Sequence, residues 1–194
     1  IIVMLASASI GAVFSSASPD FGVEGVIDRF GQIEPKIFIT TDGYNFNGKE
    51  INITEKIKQV VDLLPSIEQI ILVPVLNSNE KYSSKKTITY NNLLIKYKSS
   101  SLEFKKLKLN HPLYIMFSSG TTGKPKCIVH STGGVLLKHL VEVGLHSNAN
   151  ENKKFFYFTT CGWMMWNWLV SSLMLNSTVC LYDGSPFYPN SDIL

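Results

Sequence analysis

Met116-Phe117-Ser118-Ser119-Gly120-Thr121-Thr122-Gly123-Lys124-Pro125-Lys126-Cys127-Ile128-Val129-His130 is the stretch from which the fold is read. An apolar, strand-like run from Leu113 to Phe117 breaks into a loop of hydroxyls, glycines and lysines. Apolar β-branched sequence then returns at Ile128 and Val129. A loop of that composition buries itself poorly and suits an anion. The hydroxyls of Ser118, Ser119, Thr121 and Thr122 can donate to phosphate oxygens, and Gly120 and Gly123 let the backbone come close. Lys124 and Lys126 add positive charge, and Pro125 stiffens the exit. The loop reads as a phosphate grip.

Two other readings fail on spacing. The G-x-x-x-x-G-K-[ST] loop needs a Ser or Thr after its lysine for magnesium and a helix leaving the loop. Here Pro125 follows Lys124, Gly120 and Gly123 stand too close together, and the exit sequence is that of a strand. A flexible Ser/Gly linker explains the composition but seldom interrupts two apolar strands.

Outward from the loop, helices and strands alternate. Ile1 to Ala8 continues a helix and Gly11 to Phe14 makes a short buried strand. Ser18-Pro19-Asp20 starts a helix carrying Val23, Val26, Ile27, Phe30 and Ile33, which ends near Glu34-Pro35. Lys36 to Thr40 and Gln69 to Val75 read as strands. Between them, Asp42-Gly43 and Asn47-Gly48 mark turns. Thr54 can cap a helix from Glu55 to Leu64 whose inner face is Ile57, Val60, Val61 and Leu64. After the loop, Ser131 or Thr132 can cap another helix, with Leu136, Leu137, Leu140 and Val141 inward and Gly144 near its end. This alternation predicts an α/β domain with parallel-rich sheets flanked by helices.

Composition excludes several classes. The 194 residues are 45% hydrophobic and 17% charged, with a net charge of +3 and a mean hydropathy of +0.11, enough for one globular domain but short for two. Eight lysines fall between Lys81 and Lys108 among Ser and Asn. Without arginines or recognition motifs that cluster reads as a solvated loop over 77–110, not a nucleic-acid surface. Cys127, Cys161 and Cys180 form no C-x-x-C pair and join no His cluster, so no metal site is expected and a reducing, cytosolic compartment is. The sequons at Asn52 and Asn176 match by pattern alone. Phe155 to Tyr182 carries no charge, yet its Thr, Gly, Asn and Ser residues divide it into strand, turn, helix and strand, a buried βαβ unit and not a membrane span.

A second candidate site follows the loop. Thr159-Thr160-Cys161-Gly162-Trp163-Met164-Met165-Trp166-Asn167-Trp168 lies at a strand-to-helix turn, where α/β sheets bind ligands. Its three tryptophans can be core or pocket wall, and Trp163 and then Asn167 are the acyl-pocket candidates. His139 is expected on a helix surface. His130, on the strand leaving the loop, stands near the nucleotide at most.

Ser118 to Lys126 resembles the signature phosphate loop of the adenylate-forming enzymes (acyl-CoA synthetases, luciferases, peptide-synthetase adenylation domains). The loop departs from the pattern only at Cys127, where a small residue is usual. Arg29-Phe30, Gly48-Lys49, Gly162-Trp163 and Tyr182-Asp183-Gly184-Ser185-Pro186 occur in the order of the acetyl-CoA-synthetase-like group. Thr160 stands where acetyl-CoA synthetases usually carry Asp. Together with Ser18-Pro19-Asp20-Phe21-Gly22 and the Gly162 to Trp168 run, this is similar to the acetoacetate–CoA ligase branch. Acetyl- or propionyl-CoA synthetase and a truncated noncatalytic nucleotide-binding module are the alternatives.

The resemblance implies part of a large N-terminal AMP-binding domain over 1–194, belonging to a longer enzyme. It implies ATP with Mg2+, coenzyme A and acetoacetate as small-molecule substrates. Ser118, Ser119, Gly120, Thr121, Thr122, Gly123 and Lys126 would bind the ATP phosphates. The family's catalytic lysine, on a small C-terminal lid domain, lies downstream of these residues, so the chain alone is expected to be inactive.

Overall fold

The computed structural model of the chain describes residues 1–76, 82–118 and 123–193. Six α-helices and nine strands are present among them. The first part holds α1 (Ile2–Ile10), α2 (Val23–Phe30), β1 (Ile37–Thr41), β2 (Gly43–Phe46), β3 (Lys49–Asn52), α3 (Thr54–Leu63), β4 (Gln69–Val73), β5 (Thr87–Thr89) and α4 (Tyr90–Lys96). The second holds β6 (Pro112–Ser118), β7 (Lys126–Ser131), α5 (Thr132–His139), β8 (Lys154–Phe155), α6 (Met164–Ser171) and β9 (Thr178–Val179). A π-helical segment, Leu140–His146, continues α5, and a 3-10 turn, Ser172–Leu175, continues α6. The chain forms two compact units, one from residues 1–18 and 101–182, the other from 19–100 and 183–194.

In the unit holding residues 19–100, β1, β4 and β5 form a parallel sheet in that order, with Ile37 opposite Gln69 and Ile70 opposite Thr87. Parallel strands need crossovers, and α3 supplies the one between β1 and β4. Its face is the expected one, with Ile57, Val60 and Leu64 buried. Thr54 does not cap it. The Asn52 side chain accepts from the Thr54 N–H at 2.8 Å instead. β2 and β3 make an antiparallel hairpin turning at Asn47-Gly48, both at positive φ (50° and 72°), the backbone that a tight two-residue turn demands. The ring of Tyr188 occupies the space that a Cβ on Gly48 would need.

Asp42, read from the sequence only as a turn residue, is fully buried between β1 and β2. Its Oδ1 accepts from the N–H groups of Val75 (2.7 Å) and Leu76 (3.1 Å), so one carboxylate fastens the chain leaving β4. The expected loop over 77–110 is in part regular. Thr87–Thr89 joins the sheet, and Thr89 caps α4 by accepting from the Asn92 N–H. Thr87, Ile88 and Thr89 are β-branched and extend an existing parallel edge, which overrides the polar composition around them.

In the unit holding residues 101–182, β6 and β7 form an antiparallel hairpin and β8 pairs with β9 in parallel around α6. The stretch from Phe155 onward is thus the βαβ unit its breakdown predicts. Among the described residues no helix is long and apolar enough to cross a membrane. Phe14 contributes a parallel bridge to Tyr114 in place of a full strand. Met4, Tyr114, Val135 and Val170 form the core, with Phe14, Met116 and Trp166 against them.

The inward face of α5 differs from the expected one. Gly133, Val135, His139 and Val143 are buried, whereas Leu136, Leu137 and Val141 are exposed. Gly133 sits against Leu109, which turns the helix by that face onto the unit. The π-helical segment from Leu140 also breaks the 3.6-residue period on which the wheel reading rested.

Candidate active site

The β6–β7 hairpin carries the phosphate loop at its open end. Ser118 pairs with Lys126, Met116 with Ile128 and Tyr114 with His130. Residues directly opposed across an antiparallel pair share a face, and the face repeats every second residue. Ser118, Lys126, Met116, Tyr114 and His130 therefore lie on one side of the hairpin. Ser119, Gly120, Thr121 and Thr122, the middle of the expected grip, lie outside the described residues. Gly123 is described at φ 154°, with open space where a Cβ would stand, so a ligand can approach its backbone.

The floor of that face is dry. Tyr114 is 1% exposed, its ring centroid lies 5.1 Å from that of His130, and burial pushes its phenol up to about 12. Burial also lowers the His130 pKa, which favours a neutral imidazole at pH 7. His130 thus packs its ring against Tyr114 on the loop-bearing face.

The tryptophan-rich turn resolves into three roles. Trp166 stacks on Phe14 at 6.4 Å, and Trp168 packs against Phe155 and Tyr157. Trp163 caps the start of α6 in extended conformation, its N–H donating to the Thr160 carbonyl, and remains 54% exposed. Of the three, it alone is exposed, the other two being half-buried. The turn is fixed by Ser16, whose hydroxyl donates to the Cys161 carbonyl at 2.6 Å, and by the Cys161 thiol donating to Ala17 O.

Asn167 lies one turn further along α6 and is 2% exposed. Its Nδ2 donates to Met116 Sδ at 3.2 Å, which joins the tryptophan turn to the loop-bearing face two residues before Ser118. Its Oδ1 is buried with no hydrogen-bond partner among the described residues. Asn167 therefore stands behind the surface that Trp163 presents. Met116 was missed as a linking residue, although strand alternation from Ser118 places it on the loop face.

His139 corrects the expectation of a surface histidine. It is 6% exposed, and its Nδ1 lies 2.6 Å from Ser171 Oγ. Burial is the main cause of its lowered pKa, partly opposed by Glu142, with His130 and Lys138 lowering it further.

The AMP-binding enzyme family matches residues 1–194. The chain belongs to the AMP-binding enzyme family. It is 49% identical over 196 residues to an acetoacetyl-coenzyme A synthetase of Rhizobium meliloti (strain 1021), covering 100% of this chain and 30% of that protein. It is 48% identical over 197 residues to the acetoacetyl-CoA synthetase of Gallus gallus, covering 98% of this chain and 30% of that one. The solved acetoacetyl-CoA synthetase of Streptomyces lividans superposes with a TM-score of 0.92 at 39% identity, covering 98% of this chain and 29% of its own. The chain thus spans about 30% of the length of the relatives it matches.

Proposed function

We propose that this chain is part of the N-terminal adenylation domain of an acetoacetate–CoA ligase and supplies its phosphate loop and one wall of its acyl pocket. The observation that carries this is the pairing of Ser118 with Lys126 across the mouth of the hairpin, beneath a loop of family pattern. Likeness to acetoacetyl-CoA synthetases along the whole chain supports the choice of acid. Thr160, in place of the usual Asp, weighs against acetate.

The reaction has two steps. The acetoacetate carboxylate attacks the α-phosphorus of Mg·ATP, forming acetoacetyl-adenylate and expelling pyrophosphate. The thiol of coenzyme A, losing its proton, then attacks the acyl carbon and displaces AMP. Fixed donors aimed at the phosphates lower the first barrier because charge builds there. Ser118, Ser119, Gly120, Thr121, Thr122, Gly123 and Lys126 take that role, with Lys126 the positive group at the edge of the loop. Trp163 covers the short acyl chain and keeps water from the mixed anhydride.

Mg2+ enters with ATP, and three cysteines that stand outside any disulfide support a reducing, cytosolic setting. The full-length protein is to be assayed for pyrophosphate and AMP release with acetoacetate, acetate and propionate. Preference for acetoacetate supports the reading, preference for acetate or propionate replaces it with the acetyl/propionyl one, and activity with none points to a noncatalytic nucleotide-binding module. The 194 residues alone are inactive on this reading, so acetoacetate-dependent pyrophosphate release by them would refute that part.

A further inference from the structure

Two polar side chains that the reaction above does not use, buried His139 and half-buried Ser171, meet beside the site. Ser171 lies one turn after Asn167 on α6, and its hydroxyl donates to the Asn167 carbonyl at 2.9 Å. A hydroxyl has one proton to give. With that proton committed to Asn167, the 2.6 Å contact to His139 requires His139 Nδ1 to be the donor. On that assignment Nδ1 carries the hydrogen and, in the neutral ring, Nε2 carries the lone pair. The acceptor of the Ser171 hydroxyl is the Asn167 backbone carbonyl, and the side chain of the same residue reaches the other way, its Nδ2 donating to Met116 Sδ on the loop face of β6. A thioether is a weak acceptor, and Asn167 Oδ1 has no partner among the described residues. The Asn167 side-chain amide is therefore held by one weak contact.

We propose that His139 and Ser171 are positioning residues, which pin α6 so that Asn167 stays against Met116 and Trp163 keeps its place at the acyl pocket. The inference rests on the ligase reading for what the positioned residues do, but not for the hydrogen-bonded run itself. His139 is well placed for the task. It is the last residue of α5, where the π-helical segment begins, and the Lys138–Glu142 ion pair (2.6 Å) spans the same junction. His139 and Ser171 thus join two helices through one short bond, and α6 cannot turn about its axis without breaking it.

The test uses the full-length protein. His139→Leu and Ser171→Ala should each lower the preference in kcat/KM for acetoacetate over acetate by roughly tenfold, as displacement of a pocket wall does. The KM for ATP should stay within about twofold, since the loop is untouched. His139→Asn, which places an amide N–H near the former Nδ1 position, should restore the preference. Equal losses with both acids, or failure of His139→Asn to restore the ratio, would reduce the pair to a folding role and overturn the proposal. A second readout is independent of activity. Selective 15N-histidine spectra should show the Nδ1–H tautomer for His139 and its loss in Ser171→Ala. An Nε2–H tautomer in the unaltered protein would overturn the proposed run. If the spectra agree and no acid is turned over, the ligase reading has failed and the run has not.

Discussion

Ser118 and Lys126 stand opposite each other at the open end of the β6–β7 hairpin, so the hydroxyl and the ammonium extend from one face. The loop between them is anchored at both ends by a ladder. Its two anchors are the first and last groups of the expected phosphate grip. Lys126→Ala in the full-length protein removes a charge from that face. Adenylate formation, followed by pyrophosphate exchange, should fall by about 10²-fold, with the KM for coenzyme A little changed. An unchanged exchange rate would place the phosphates away from this face.

Trp163→Ala addresses the acyl wall. Because the ring is more than half exposed, folding stability should change by no more than about 0.5 kcal/mol. Use of acetoacetate should fall by roughly tenfold in kcat/KM, through lost apolar cover. Trp166→Ala is the contrast. It removes a half-buried ring that stacks on Phe14 against the core and should cost about 1–3 kcal/mol in denaturant unfolding.

Asp42→Ala leaves the N–H groups of Val75 and Leu76 without their buried acceptor. Each orphaned group costs about 1–3 kcal/mol, so unfolding in urea should show a loss of at least about 2 kcal/mol. Loss of less than that would mean that water replaces the carboxylate there.

Acid should weaken the fold through His139 and His130. Both bind a proton less readily when folded than when unfolded. Near the ordinary histidine value of about 6.5, the unfolded chain therefore holds more protons, and stability rises with pH. The contribution is complete above that value and is lost as pH falls through the lowered folded-state values. Urea midpoints measured from neutral to mildly acid pH should decline, and His139→Asn should flatten part of the decline. His139 is opposed in this by Glu142, which favours the cation, and assisted by Lys138 and His130.

The loop-bearing hairpin was legible because its signals are local. Apolar β-branched runs flank a polar insert, and Pro125 forbids the helix that a different phosphate loop would need. The Asn47-Gly48 turn and the α3 face were legible for the same reason. The face of α5 was not, because a π-helical segment changes the residue period and no sequence pattern announces it. His139 looked like a surface residue beside Lys138, and its burial depends on Ser171, distant in sequence. Asp42 shows the same limit: its partners are backbone groups more than thirty residues away, and backbone groups have no sequence signature. For Asn167, side-chain identity pointed to the neighbourhood of the site, but only the fold placed it behind the exposed surface.

The Phe14–Tyr114 bridge has a consequence for how this unit assembles. Phe14 N–H donates to Leu113 O and Ile115 N–H donates to Phe14 O, so residues from the start of the chain close the edge of β6 left open by β7. The hairpin itself is a short-range structure that can form early, whereas this closure joins positions a hundred residues apart and carries a larger loop-closure entropy. Until it forms, β6 presents unpaired backbone groups and the apolar side chains of Leu113, Ile115 and Phe117 to any other chain. Removal of residues 1–18 would leave that edge permanently bare. Such a shortened chain should aggregate during refolding, even with every residue of the loop retained.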